Sequence, residues 1–491
     1  MDFLRVYDRS RLAVERLLLG EGLRAKAVRG GMWLGGGSTV EQASRFARNM
    51  VLTRLLAPSA FGTMAIVMSC STLLGSLTDV GLKAAIVQNP RGAEDSYLNA
   101  SWWMGMGRAI CLYAIIFAMA PWISRFYGIP ELSALLRVAL LSTLLDGAMS
   151  PRSSLPQKEM NFPRWAAITN GGAICGVILT VALSFIIRDV WALAIGSCSE
   201  NAFRFLLSYI LCPGLPQLGW DSRAARDLLR FSRGIMGLSF LNIIFTRADI
   251  FVLAKLYSPA DLGLYTMAVA LVQTPSSFLT GLLGQTFLPV FSRVQEDRQR
   301  VNRIVEEVTS WLILLGLPAV VVICVSGKSL LTLIYGSRYA AGAAPLALAS
   351  GVVFLNALNV VLTIVFYGKG RPALHRRAVA ATAITMVVTI YPFSLWLGVA
   401  GAQVAALLSI VVGYLLQIVR MRGLTGLNLL RYARGFGPPI ILSVGVLTFC
   451  LGAHSFGLAA KPVANIMVAG AACLVAYGLY LPALLRNKPI A

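Results

Sequence analysis

Glu41, Arg45 and Arg48 stand at i, i+4 and i+7 in a stretch with apolar flanks, so on a helix they share one face. A face of this kind binds anions. A guanidinium stays charged when desolvated and grips a phosphate or carboxylate with two parallel N–H donors, which an ammonium cannot do. Arg108, Arg137, Arg247 and Asp249 interrupt other apolar runs. Asp249 follows Asn242 and Thr246 at the same i, i+4, i+7 spacing. An acid among polar neighbours can bind a proton or Na⁺, which makes Asp249 and Glu41 candidates for ion coupling; a fixed ion pair with an arginine is the competing role for Asp249. Glu200 and Arg204, at i, i+4, are expected to pair with each other and are set aside as structural. What is left is five cations against two acids, an excess that favours an anionic ligand. For any single arginine, a backbone carbonyl or a lipid phosphate is an equally good partner.

The same inventory offers no catalytic or metal-binding pattern. Eight cysteines lie in or beside apolar runs without CxxC spacing, and the two histidines, His375 and His454, are far apart. No Ser-His-Asp set or paired carboxylates stand out. No metal, no cofactor and no enzymatic activity are expected, apart from H⁺ or Na⁺ as a coupling ion.

The elements that carry these charges follow from composition. Of 491 residues, 57% are apolar and 13% charged, where a soluble domain has about 25% charged residues. The apolar runs are about 20 residues long and continuous, which excludes a large soluble domain and the alternating pattern of a β-barrel. Runs bounded by charge, Gly or Pro predict spans near 31–56, 61–82, 97–121, 131–150, 164–187, 190–211, 232–256, 262–288, 304–325, 341–367, 377–397, 399–419, 436–456 and 463–485. The expected fold is an all-α polytopic membrane protein of about 14 helices, two six-helix lobes around a central cavity plus two C-terminal helices. The expected divisions are an amphipathic N-terminal segment 1–30, an N-lobe 31–211, a linker 212–231, a C-lobe 232–419 and the C-terminal spans 420–491. An arginine facing lipid at mid-depth costs about 2.5–3.5 kcal/mol, so the face of Glu41, Arg45 and Arg48 should line a wet cavity or a protein interior.

With the N-terminus assigned to the cytoplasm, 30 of the 43 Lys and Arg fall in loops on that side and 6 on the other. That asymmetry predicts cytoplasmic termini and accounts for the net charge of +22 without nucleic acid. The first thirty residues lack a signal-peptide core; their alternating apolar residues and arginines suit a helix lying on an anionic leaflet. Asp79 and Asp146, near the cytoplasmic ends of their spans, suit a capping or interfacial role.

An internal repeat is also visible. Arg54-Leu55-Leu56-Ala57-Pro58-Ser59-Ala60-Phe61-Gly62 matches Lys255-Leu256-Tyr257-Ser258-Pro259-Ala260-Asp261-Leu262-Gly263 at an ungapped offset of 201. Each copy stands at the first outer turn of a six-span block. An even number of spans gives the copies one orientation and predicts an axis along the membrane normal.

These motifs, with Gly31, Trp33, Asp79-Val80-Gly81-Leu82, Asp249, Leu262-Gly263-Leu264-Tyr265 and Tyr335-Gly336-Ser337-Arg338-Tyr339, resemble the polysaccharide exporters, or Wzx-type oligosaccharide flippases. Their superfamily also holds multidrug exporters and the lipid II flippase. The resemblance implies alternating-access translocation of a polyprenyl-pyrophosphate-linked oligosaccharide across a bacterial inner membrane, for exopolysaccharide, capsule or O-antigen synthesis. It implies membrane lipids, a polymerase and a chain-length regulator as partners. The alternative within that superfamily is a small-molecule or multidrug exporter, whose cavity should favour acids and aromatics over arginine. An enzyme acting on the same lipid carrier would need larger outer loops than this chain has.

Overall fold

The computed structural model describes residues 23–77, 81–232, 236–456 and 461–486, and among these there are helices and turns but no strand. The expected amphipathic segment falls mostly, and Asp79 entirely, outside the described residues. The helices are α1 (Leu23–Leu55), α2 (Pro58–Leu77), α3 (Leu82–Gln88), α4 (Asp95–Tyr127), α5 (Leu132–Ala139), α6 (Leu141–Gly147), α7 (Leu155–Lys158), α8 (Phe162–Ile186), α9 (Val190–Leu211) and α10 (Ser222–Ser232). After them come α11 (Met236–Leu256), α12 (Pro259–Arg293), α13 (Arg298–Ile334), α14 (Ala343–Gly368), α15 (Pro372–Leu397), α16 (Gly401–Thr425), α17 (Leu429–Arg434), α18 (Gly437–Ser455) and α19 (Pro462–Arg486). Each expected span coincides with a helix or, for the fourth, with two. By length and composition alone, eight helical stretches among the described residues are apolar enough to cross a membrane, or nine if the bent pair is one span.

The fourth span departs from expectation. Instead of one helix over 131–150, the chain forms α5 and α6 and then bends by 78° into Pro151–Lys158. Pro151 has no N–H to continue the ladder, and the Ser150 hydroxyl accepts the Arg152 N–H to start the next turn. Several other helices outrun their apolar windows: α4 has 33 residues, α12 has 35 with Pro275 and Pro289 inside, and α13 has 37.

Two compact units result, Met1–Leu56 with Cys70–Ser239, and Ala57–Ser69 with Phe240–Ala491. In the first, α8 and α9 form the most extensive pair, α1 lies on α8, and α4 packs on α5 and α6. The segment expected as a linker carries α10, which buries Ala224, Ala225 and Leu228 against Leu82, Ile86 and Tyr97. Asp221 caps α10 by accepting the Arg223 and Ala224 amides, and those two hydrogen bonds hold its carboxyl below the usual aspartate range. The second unit packs α12 on α14, α14 on α13 and α16, and α15 on α16. Its core includes Phe291, Val305, Leu362, Phe366 and Met421. Helices α18 and α19 join through Val446, Cys450, Ala469 and Ala472 and rest on Val321 and Val325 of α13.

The repeated turns meet inside the second unit. A Cβ on Gly62 would collide with the Pro259 carbonyl and the Gly263 amide, and a Cβ on Gly263 would collide with the Pro58 carbonyl. Each glycine thus admits the backbone of the other turn, the reciprocity that a local two-fold relation requires. The obstructing atoms are backbone and cannot swing aside. Gly62→Ala and Gly263→Ala should each destabilise the protein by about 1–3 kcal/mol, the cost of overpacking. Because both disturb one contact, the double variant should cost less than the sum in thermal unfolding of the purified protein. Unchanged melting of both single variants would contradict the contact.

Candidate functional site: an ion-pair network on α1

Helix α8 carries Gly172 and Gly176 where α9 carries Arg204 and Glu200, and neither glycine has room for a Cβ against those residues. In return, Gly196 of α9 sits against Thr180 of α8. Small residues spaced in this way let two helices approach backbone to backbone. On α1, Gly37 packs on Asn170 of α8. The close approach presents the Glu200 and Arg204 side chains to the polar face of α1.

There Glu200 Oε1 accepts from Arg45 Nη2 at 2.5 Å and lies 2.8 Å from Arg204 Nη2. Arg45 also donates through Nε and Nη2 to Glu41 Oε1, both at 3.1 Å. Arg204 Nη2 stands 3.8 Å from Glu41 Oε1, and its Nε donates to the Thr169 carbonyl of α8 at 3.2 Å. Two cations and two anions share one cluster with no net charge. The Glu200 side chain is 10% exposed and Arg45 is 31% exposed, so the cluster runs from the interior toward an open edge.

Glu200 and Arg204 therefore do pair, yet they are not separate from the α1 face: the two i, i+4 pairs interlock. Within each helix the spacing shows the local partner. That Glu200 also serves Arg45, 155 residues away, has no signature in either helix. Arg48, one turn beyond, is outside the network; its Nε and Nη2 reach the Asn49 side-chain oxygen at 3.4 Å, and it makes no ion pair among the described residues.

The other predicted residues lie apart from this cluster. Arg108 Nη1 points to the Gly75 carbonyl at 3.4 Å. The Arg137 guanidinium lies 4.3 Å from the centre of the Phe117 ring, and its buried Nε has no hydrogen-bond partner among the described residues. Asp146 forms an ion pair with Lys83 at 3.1 Å. In the second unit Arg247 makes no ion pair among the described residues. Asp249 Oδ2 accepts from the Tyr265 hydroxyl at 2.6 Å, and that hydroxyl accepts from Gln403 Nε2, also at 2.6 Å. This chain of acid, phenol and amide joins α11, α12 and α16. Among the described residues the partner of Asp249 is a phenol and not an arginine. The signal for it was at hand, since Tyr265 belongs to the same short motif as Gly263.

The offset of 201 that relates the two turns also relates the two polar faces. Glu41, Arg45 and Arg48 take the positions of Asn242, Thr246 and Asp249. Equivalent positions thus carry a mixed, arginine-rich face in one copy and a neutral face ending in an acid in the other.

The family model described as "Polysaccharide biosynthesis protein" matches residues 51–345. An uncharacterized membrane protein in the cps region of Klebsiella pneumoniae is 20% identical over 433 residues, 87% of this chain and 89% of that one. The succinoglycan biosynthesis transport protein ExoT of Rhizobium meliloti (strain 1021) is 22% identical over 60% of each chain. The lipopolysaccharide biosynthesis protein WzxC of Escherichia coli (strain K12) is 22% identical over 65% of each. Among solved structures, the lipid II flippase MurJ in its inward closed conformation is similar with a TM-score of 0.73 at 10% identity, over 93% of this chain and 100% of that one. An inward-facing multidrug resistance MATE family transporter is similar with a TM-score of 0.57 at 14% identity, over 79% of this chain and 96% of that one. These likenesses establish a multi-pass membrane fold of the transporter kind.

Removing one carboxylate from the network leaves two guanidinium groups facing each other. Glu200→Gln should therefore cost more than the about 1 kcal/mol of an exposed pair and up to the about 3–5 kcal/mol of a buried one. Arg45→Gln added to it should recover part of that loss, read as a coupling energy in thermal unfolding. Strict additivity of the two variants would contradict the shared contact.

Proposed function

The chain belongs to the polysaccharide biosynthesis protein family, and from that premise we propose that it is a flippase carrying a polyprenyl-pyrophosphate-linked oligosaccharide across the bacterial inner membrane. The relatives support the carrier role over an enzymatic one, because ExoT is named for transport within a biosynthetic route. They also favour a saccharide cargo over the small molecules of the multidrug branch. The observation that carries the reading on this chain is the α1 face: a neutral Glu41–Arg45–Glu200–Arg204 cluster with Arg48 beyond it, outside any ion pair among the described residues.

In this reading the fourteen predicted spans cross the membrane with both termini in the cytoplasm. Arg48 meets the pyrophosphate, which a guanidinium holds through two parallel hydrogen bonds. Glu41, Arg45, Arg108, Arg137 and Arg247 set the potential that the cargo meets. Arg45 does so as part of a balanced cluster whose bonds rearrange when an anion enters. The lipid tail stays in the bilayer. Asp249, held by Tyr265, takes up the coupling proton or Na⁺, with Glu41 as a second candidate. A polymerase and a chain-length regulator act on the exported product.

Translocation in proteoliposomes tests the proposal. A polyprenyl-pyrophosphate oligosaccharide is placed in both leaflets, and its exposure to an external glycan-modifying enzyme is followed with and without a proton or Na⁺ gradient. Protein-dependent exposure is expected, reduced about tenfold or more by Arg48→Ala, equivalent to about 1.4 kcal/mol of lost cargo interaction, with protein abundance unchanged. Asp249→Asn should abolish the gradient dependence while leaving downhill exchange. Transport of small organic cations without exposure of any glycan would move the chain to the multidrug branch.

A further inference from the structure

We propose that the connection between α9 and α10, together with the exposed face of α10, is an interfacial anchor whose partner is an anionic phospholipid leaflet. Exposure here runs against side-chain type. Leu215 is 81% exposed, Leu218 98% and Trp220 59%, three large apolar side chains within six residues. A single exposed leucine is ordinary, whereas a set confined to one short segment marks an interaction surface.

The segment is held in place by the first unit. The Ser150 hydroxyl donates to the Cys212 carbonyl at 2.6 Å. Asn99 of α4 clamps the middle of the connection: its Nδ2 donates to the Gly219 carbonyl at 2.5 Å, and its Oδ1 accepts the Gln217 amide at 2.9 Å. Trp103, one turn along α4, donates through Nε1 to the Gln217 carbonyl at 2.9 Å. Asp221 then caps α10 through the Arg223 and Ala224 amides. These bonds satisfy backbone groups that water would otherwise have to serve, as a segment entering the apolar boundary of a bilayer requires.

Two observations select lipid as the occupant. The first is continuity. Helix α4, which holds the segment, is long and apolar enough to cross a membrane and exposes Ile110 and Phe117 along its length. On the last turns of α9, Leu206 and Ile210 are exposed, so an apolar surface runs on from the helix into 215–220. The second is charge. Helix α10 buries Ala224, Ala225 and Leu228 against the unit, while Arg223, Arg226 and Arg230, at i, i+3 and i+7, share the opposite, exposed face. Leucine and tryptophan beside a row of arginines is the composition of an interfacial segment, with the indole at headgroup level and the guanidinium groups on lipid phosphate. The topology proposed above places this contact on the cytoplasmic leaflet; the contact itself does not depend on that reading.

Tryptophan quenching of the full-length protein in nanodiscs of phosphatidylglycerol and phosphatidylcholine tests the anchor. Subtracting the emission of Trp220→Phe, which keeps an aromatic ring at the position, isolates Trp220 from the other tryptophans. That difference emission should be blue-shifted, quenched by lipid brominated near the top of the acyl chain and shielded from iodide in the water. Quenching by iodide and not by brominated lipid would overturn the anchor and leave a protein partner as the occupant. Brominated phosphatidylglycerol in plain phosphatidylcholine should report an enrichment around Trp220 of about fivefold or more over the converse mixture, the value of one cation at an anionic surface. Replacing Arg223, Arg226 and Arg230 together by Gln should remove that enrichment with thermal unfolding unchanged. Equal quenching by the two brominated lipids in the wild type, or an enrichment that survives the triple replacement, would overturn the anionic assignment. Neither readout needs transport, so a failed anchor leaves the flippase standing, and failed translocation leaves the anchor standing.

Discussion

An ionised side chain in an apolar span must find polar partners inside the protein, and on the α1 face that requirement converges on one oxygen. Glu200 Oε1 serves Arg45 of α1 and Arg204 of its own helix at once. The arrangement works because α8 offers Gly172 and Gly176 at the contact, which brings the α9 backbone close enough for Glu200 to reach α1. Replacing either glycine would push α9 away and part Glu200 from Arg45, leaving Arg45 with Glu41 and Arg204 with Glu200. Helix–helix spacing and electrostatics are thus one constraint here. Its outcome is that Arg45 pairs with Glu41 and Glu200, while Arg48, a turn away, makes no ion pair among the described residues.

The repeat extends the same logic to the second unit. The turns at Gly62 and Gly263 interlock backbone to backbone, and the helices leading into them carry equivalent polar faces with opposite character. At the position of Arg48 the second copy has Asp249, held by Tyr265 and Gln403. Duplication followed by divergence of charge would give one helix suited to an anion and one suited to a cation.

Much of the fold was legible in the amino-acid sequence, because apolar run length is a direct consequence of the bilayer as solvent. Every expected span met a helix, and the Pro-Gly repeat marked a real contact. Composition shows that 131–150 is apolar but not that it divides into α5 and α6; the 78° bend falls where the expected span ends, at Ser150 and Pro151. The site was read in pieces. Spacing at i, i+4 showed that Glu41 can reach Arg45 and Glu200 can reach Arg204, while nothing in either helix says that the two pairs share a carboxylate. Setting Glu200 and Arg204 aside as self-sufficient made the α1 face look more cationic than it is. The Tyr265 partner of Asp249 did leave a signal, because it arrives from the next helix in the motif that carries the repeated turn.

The central claim is that the charge left over on α1, at Arg48, is there for an anionic lipid-linked headgroup. Native mass spectrometry of the purified protein with an undecaprenyl lipid as pyrophosphate, as monophosphate and as free alcohol tests it most directly. The account predicts retention in the order pyrophosphate, monophosphate, alcohol, with the preference for pyrophosphate lost in Arg48→Gln and the fold intact. Equal retention of all three lipids, or an unchanged preference in Arg48→Gln, would contradict it.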